Sequence, residues 1–151
     1  MSERLYLLDT NVVLALVRGQ ALGASIDETY KLSRAKQRPL VCIVTHGEVR
    51  VLAHRNGWGG KKMQTLQHAL DQLVTVDIHH PAVIDAYVSL DLVSQSHREG
   101  SKNMGKNDLW IAAVTKAAGA VLLTTDNDFS HLIPDHLEGE IINPKGVPSA
   151  G

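Results

Sequence analysis

The chain has 151 residues, 44% of them apolar and 21% charged, which suits a single globular domain with a sizeable core and excludes a disordered polymer. Its net charge of -1 excludes a molecule whose overall field gathers nucleic acid, so any polyanion has to be met by local cations. The one cysteine, Cys42, excludes an internal disulfide; within the apolar run 40–44 it reads as a small buried side chain in a chain suited to a reducing cytoplasm.

In chain order, residues 4–8 (RLYLL) form an apolar run expected to be a buried strand, and residues 11–17 the helix after it. The apolar stretch 5–17 is broken by Asp9, Thr10 and Asn11. It is too short and too polar in the middle for a membrane span or a secretion signal, so a cytoplasmic protein with no membrane association is expected. A polar helical stretch at 24–36 runs up to Pro39, and 40–44 reads as a second strand. Thr45-His46-Gly47-Glu48 then matches a capping box, with Thr45 as N-cap and Glu48 three places on. Val49, Leu52 and Ala53 give the helix that follows an apolar face, and Asn56-Gly57 ends it. Further helices are expected over 62–73, around Val83, Tyr87, Leu90 and Val93, and from Leu109 to the stop at Ala118-Gly119; strands are expected at 74–78, 120–125 and 140–143. The expected organisation is one domain over 1–143 with a frayed tail at 144–151.

Apolar strands alternating with helices imply an α/β fold, a three-layer α/β/α sandwich around a mainly parallel sheet. In such sheets chemistry gathers at the carboxyl ends of the strands. Asp9 follows the first strand, Glu48 opens the helix after the second, and Asp126 follows the strand at 120–125. Asp108 precedes that strand by a helix rising roughly 16 Å at about 1.5 Å per residue. The strand descends a similar length at about 3.3 Å per residue, returning to the same edge. Each acid has an ordinary use as a helix cap or turn former. Those uses leave unexplained why acids close separate β/α units at one edge. Four crowded carboxylates repel unless protonated or bridged by cations. An all-oxygen, anionic set suits Mg²⁺ or Mn²⁺, ions that activate water and stabilise charge in phosphodiester cleavage.

Four segments carry a family resemblance: LLDTNVVLAL at 7–16, IVTHGEV at 43–49, NDLWIAAVTKAAG at 107–119 and LLTTDNDF at 122–129. In this order and spacing they resemble the signature blocks of PIN-domain nucleases, and the size resembles the VapC-type toxins of toxin–antitoxin pairs. The resemblance implies a Mg²⁺- or Mn²⁺-dependent endoribonuclease, a small antitoxin partner and a homodimer. It implies that Asp9, Glu48 and Asp108 hold a first metal and that Asp126 completes the site. Asn11 and Thr124 match supporting polar positions, and Asp128 matches a further acid whose ligand role varies.

RNA requires cations near this edge. Arg50 on the helix of Glu48 and Lys106, two residues before Asp108, are the candidate RNA contacts. Trp58 and Trp110 could stack on bases, although Trp110 reads better as a core or interface residue. Among eight histidines no zinc-ligand spacing occurs, and His46 is the one expected near the acids. A dehalogenase-like phosphatase needs a second acid where Asn11 stands. A receiver domain needs an acidic pair near the start and a late lysine, which are missing. The remaining alternative is a PIN-like RNA- or protein-binding module without nuclease activity.

Overall fold

The computed structural model describes residues 4–97 and 99–145. Its strands are β1 (Tyr6–Leu8), β2 (Leu40–Cys42), β3 (Val74–Val76), β4 (Val121–Thr124) and β5 (Gly139–Ile141). Its helices are α1 (Thr10–Arg18), α2 (Ala21–Tyr30), α3 (Ile43–Arg55), α4 (Gly60–Asp71), α5 (Pro81–Gln95) and α6 (Lys106–Ala117), with short 3-10 helices at Leu32–Arg34 and Asn127–Leu132. Part of the expected tail, from residue 146 onward, lies outside the described residues.

The strands are short, three or four residues each, and the first four lead into helical segments. Together they form one sheet in the order β3-β2-β1-β4-β5, with every pairing parallel. The expected mainly parallel sheet is therefore wholly parallel among the described residues. Successive strand residues face opposite sides. Leu7, Leu40, Cys42 and Leu122 pack under Val83 and Leu90 of α5 and Ile111 and Val114 of α6. Leu8, Val41 and Leu123 pack on the other side, under Val12, Ile26, Val49 and Leu70 from α1 to α4. Both sheet faces are thus covered, which gives the three-layer α/β/α architecture.

Several boundaries differ from the sequence pattern, among them the helix expected at 24–36, which spans Ala21–Tyr30, and two of the shifts bear on the site. Helix α3 starts at Ile43, with Cys42 as N-cap and no side-chain capping bond. The capping box is therefore absent: Thr45 lies inside the first turn and is fully buried. A short apolar run does not distinguish a strand from a buried helix start by periodicity, and Ile43-Val44 belongs to the helix. Helix α6 likewise starts at Lys106 with Gly105 as N-cap, which leaves Asn107 and Asp108 inside the first turn.

Helices α1 and α2 form a tight hairpin. Gly19 ends α1 at φ 63°, a conformation glycine takes without steric cost. Gly23 then brings α2 onto the last turn of α1, where a Cβ would collide with the carbonyl oxygen of Ala15. Gly23→Ala should destabilise the fold by roughly 3 kcal/mol, the upper range for overpacking. Gly47→Ala, on α3 with nothing within 4 Å of an added Cβ, should stabilise it by up to about 1 kcal/mol. Urea denaturation of both variants checks the pair, and equal effects would contradict the close approach at Gly23.

Candidate metal centre

The carboxyl ends of β1, β2 and β4 lie side by side in the middle of the sheet, and the acids lie just beyond them. Asp9 extends the β1–β4 ladder by one bond, its N–H donating to the Leu123 carbonyl at 3.0 Å, and it is the N-cap of α1. The residue is only 3% exposed. One carboxylate oxygen accepts from the Thr10 N–H at 2.8 Å and the other from the Thr124 hydroxyl at 2.6 Å. The Thr124 oxygen in turn accepts from the Asp126 N–H at 2.9 Å. One buried hydroxyl thus joins the carboxylate beyond β1 to the backbone beyond β4. Asp126 is the N-cap of the 3-10 helix Asn127–Leu132, its carboxylate accepting from the Asp128 N–H.

Glu48 sits in the second turn of α3. Its Oε1 accepts from the Thr10 hydroxyl at 2.6 Å. Thr10 Oγ1 also lies 3.0 Å from Thr45 Oγ1. Since the Thr10 proton is committed to the carboxylate, Thr45 is the donor of that pair. The chain Thr45 to Thr10 to Glu48 ties α3 to α1. These two hydroxyls escaped the sequence reading, in which Thr45 was a cap. Their signal is slight: a threonine directly after Asp9 and another within an apolar strand-to-helix passage.

Asp108, in the first turn of α6, has a carboxylate oxygen within 4.8 Å of ligand-capable oxygens of both Asp126 and Asp128. Burial pushes the Asp108 carboxyl up to about 7, with further contributions from the charges of Asp9, Asp126, Glu48 and Asp128. Burial likewise raises Asp9 to about 6 against the lowering effect of its two donors, and Glu48 and Asp126 add repulsion. The five acids therefore sense one another across a single site, which Asp128 enters alongside the four aligned by strand geometry. A cation would relieve their repulsion, and the donor set of hard carboxylate oxygens fits Mg²⁺ or Mn²⁺.

The other sequence candidates fall at varying distances from this centre. Asn11 is exposed on α1. Lys106 is exposed at the first residue of α6. Arg50 donates to Gln67 on α4 at 3.2 Å. His46, expected near the acids, instead meets the Thr75 hydroxyl of β3 at 2.8 Å. Trp110 is half-buried, its ring 4.1 Å from that of Tyr87, and Trp58 lies under the Lys62 ammonium at 4.4 Å. A groove of about 430 Å³ borders Glu48, lined also by Asn107, by Val44, Val51 and Leu52, and by Arg55, a second cation on the helix of Glu48.

A family model described as PIN domain matches residues 6–133, and the chain belongs to that family. No curated protein matches in sequence. Among solved structures, a chain of VapBC2 from Rickettsia felis, bound to a promoter DNA fragment, is similar at 18% identity and TM-score 0.72, covering 92% of this chain and 99% of that one. VapBC-1 from nontypeable Haemophilus influenzae gives 19% identity and TM-score 0.70, over 91% of this chain and 97% of that one. FitAcB from Neisseria gonorrhoeae gives 21% and 0.68, over 93% and 98%. At these identities the likeness is one of fold, and in fold the chain resembles VapC-type PIN proteins.

The raised carboxyls predict a pH dependence for the metal-free protein. In the unfolded chain these aspartates titrate near 3.8, and in the folded chain near 6 and 7. Between those values the folded state holds more protons, so its stability falls as pH rises through the window and is recovered on acidification. In EDTA, Asp108→Asn should therefore gain melting temperature over the parent at about pH 8 and lose much of that advantage by about pH 5. An advantage that does not vary with pH would mean that Asp108 carries no repulsion.

Proposed function

We propose that this chain is a metal-dependent endoribonuclease of VapC type, the toxin of a toxin–antitoxin pair acting in the cytoplasm. The observation that carries the reading is the set of acids drawn from four segments to one sheet edge, two of them with raised proton affinity at neutral pH. Asp9, Glu48, Asp108 and Asp126 would hold Mg²⁺ or Mn²⁺, with Asp128, Thr124 and Asn11 in support. When bound, the metal supplies a nucleophilic water at neutral pH and neutralises charge gathering at phosphorus.

The chain's own residues prepare that site. Thr10 and Thr124 fix the orientation of Glu48 and Asp9 through short hydrogen bonds, so two of the proposed ligands need no rearrangement to bind. Arg55, in the groove beside Glu48, and Lys106, at the start of the helix of Asp108, are the cations proposed for RNA phosphates, whereas Arg50 is engaged with Gln67. His46 faces Thr75, and we assign proton transfer to water and carboxylates. Hydrolysis breaks the bond from phosphorus to the 3′ oxygen, leaving a 3′-hydroxyl and a 5′-phosphate.

EDTA should abolish cleavage of RNA, and Mn²⁺ or Mg²⁺ should restore it with those termini. Asp108→Asn and Asp126→Asn should be inactive and should lose most of the Mn²⁺ stabilisation, about 2.7 kcal/mol for the parent at a hundredfold excess over Kd. A 2′,3′-cyclic phosphate formed undiminished in EDTA would falsify this mechanism. Metal binding without cleavage of any RNA would favour the binding-module alternative.

Matched structures named as VapBC and as a toxin-antitoxin complex support a small antitoxin as partner. The groove beside Glu48, with its apolar wall and Arg55, offers it a seat. A homodimer is the second partner we propose. Ile84, Val88 and Leu92 of α5 are 42%, 52% and 58% exposed, and their spacing of four places them in one apolar stripe along the helix. Among the described residues no helix is long and apolar enough to cross a membrane. Val88→Asp should convert a dimer to a monomer in sedimentation equilibrium, and an unchanged dimer would place the interface elsewhere.

A further inference from the structure

The three closest acids come from two segments that are not paired in the sheet. Asp108 belongs to the first turn of α6, while Asp126 and Asp128 open the 3-10 helix Asn127–Leu132. Like charges at this separation push the two segments apart. An interaction that joins the segments must oppose that force.

Ser94 of α5 is 1% exposed and touches both. Its backbone carbonyl accepts from the Lys102 N–H at 2.7 Å, and its hydroxyl lies 3.4 Å from Met104 Sδ. These contacts hold the run that leads into α6. The same hydroxyl lies 2.8 Å from Nε2 of His131, on the 3-10 helix. The His131 ring also lies close enough to Asp128 for that residue's backbone and charge to favour the protonated ring. A neutral ring accepts the Ser94 proton; a charged ring donates to Ser94, whose proton then turns to Met104. The clamp persists in either state.

We propose that Ser94 and His131 are positioning residues, a clamp behind the site that holds Asp108 against Asp126 and Asp128 at metal-binding distance. The proposal rests on the metal-dependent reading above. A purely structural role predicts lost stability with unchanged metal affinity. A positioning role predicts weakened metal affinity in a folded protein.

Thr115 supplies the comparison. It is fully buried, and its hydroxyl donates to the Ile111 carbonyl at 2.7 Å, a bond inside α6 that joins no second segment. Thr115→Val removes a buried hydrogen bond without opening the clamp. His131→Asn keeps an amide donor near Asp128 but is too short to reach Ser94.

The experiment is an EPR titration of Mn²⁺ into the parent, Ser94→Ala, His131→Asn, their double variant and Thr115→Val, with urea stability measured for each. Ser94→Ala and His131→Asn should each raise the Mn²⁺ Kd roughly tenfold, the lower range for residues behind a metal site. The double variant should do no worse than either single, because both open one clamp. Thr115→Val should lose stability and bind Mn²⁺ as the parent does. If Ser94→Ala does not fold, His131→Asn, at a half-buried position, decides the matter. Parent-like Kd values in the clamp variants overturn the proposal and leave the metal reading standing. A parent that binds no Mn²⁺ overturns the metal reading and the clamp with it.

Discussion

The hydrogen bond from Thr124 to Asp9 fixes the relation between sheet and site. Asp9 lies where the two central strands end, and the residue is nearly removed from water. A buried charge without donors would be strongly disfavoured. Here the donors are the first N–H of α1 and a hydroxyl at the end of the neighbouring strand. That hydroxyl also receives the Asp126 N–H, so one side chain ties the β1–β4 pairing to the starts of α1 and the 3-10 helix. Among the described residues no buried side-chain nitrogen or oxygen is left without a partner. The polar atoms of the site are therefore parts of a closed network rather than isolated penalties.

Burial and hydrogen bonding act on Asp9 in opposite directions. Burial disfavours its charge and the two donors favour it, and burial prevails, lifting it to about 6. Asp108, with more water around it but more acids facing it, is lifted to about 7. A site with carboxyls titrating near neutrality exchanges protons for a cation under ordinary conditions. The same features reduce the stability of the metal-free fold, and such a local loss is common where a protein concentrates like charges for a ligand.

The fold was legible in the sequence because strand and helix periods alternate clearly: five apolar runs, each followed by a helix or turn, leave little choice but a parallel sheet covered on both faces. Asp9 and Asp126 were legible because they directly follow apolar strands. Asp108 needed the argument that a helix and the strand after it return to the same height. The hydroxyl network was not legible. Thr45 looks like a cap because capping depends on local spacing, whereas its true partner, Thr10, is 35 residues away. His46 looks like a site residue because it stands two places from Glu48, yet a helix turns such neighbours to different faces, and its ring meets β3. Ser94 and His131 carry no motif at all, because they meet only after α5 has packed beside the 3-10 helix.

The network divides the acids into two unequal halves. Asp9 and Glu48 are held by threonines from the chain segments that build the central sheet and its first crossover, so their placement follows from folding itself. Asp108, Asp126 and Asp128 stand on the starts of two helical segments, partly or fully open to solvent. Their approach opposes electrostatics rather than following from strand pairing. The threonine-held half therefore governs whether the site forms, and the other half governs how tightly it holds a cation and how readily a substrate or protein partner reaches it. Changes beneath the first half should register mainly as stability, whereas changes behind the second should register mainly as affinity. The two halves meet at Thr124, whose hydroxyl contacts Asp9 on one side and the Asp126 backbone on the other.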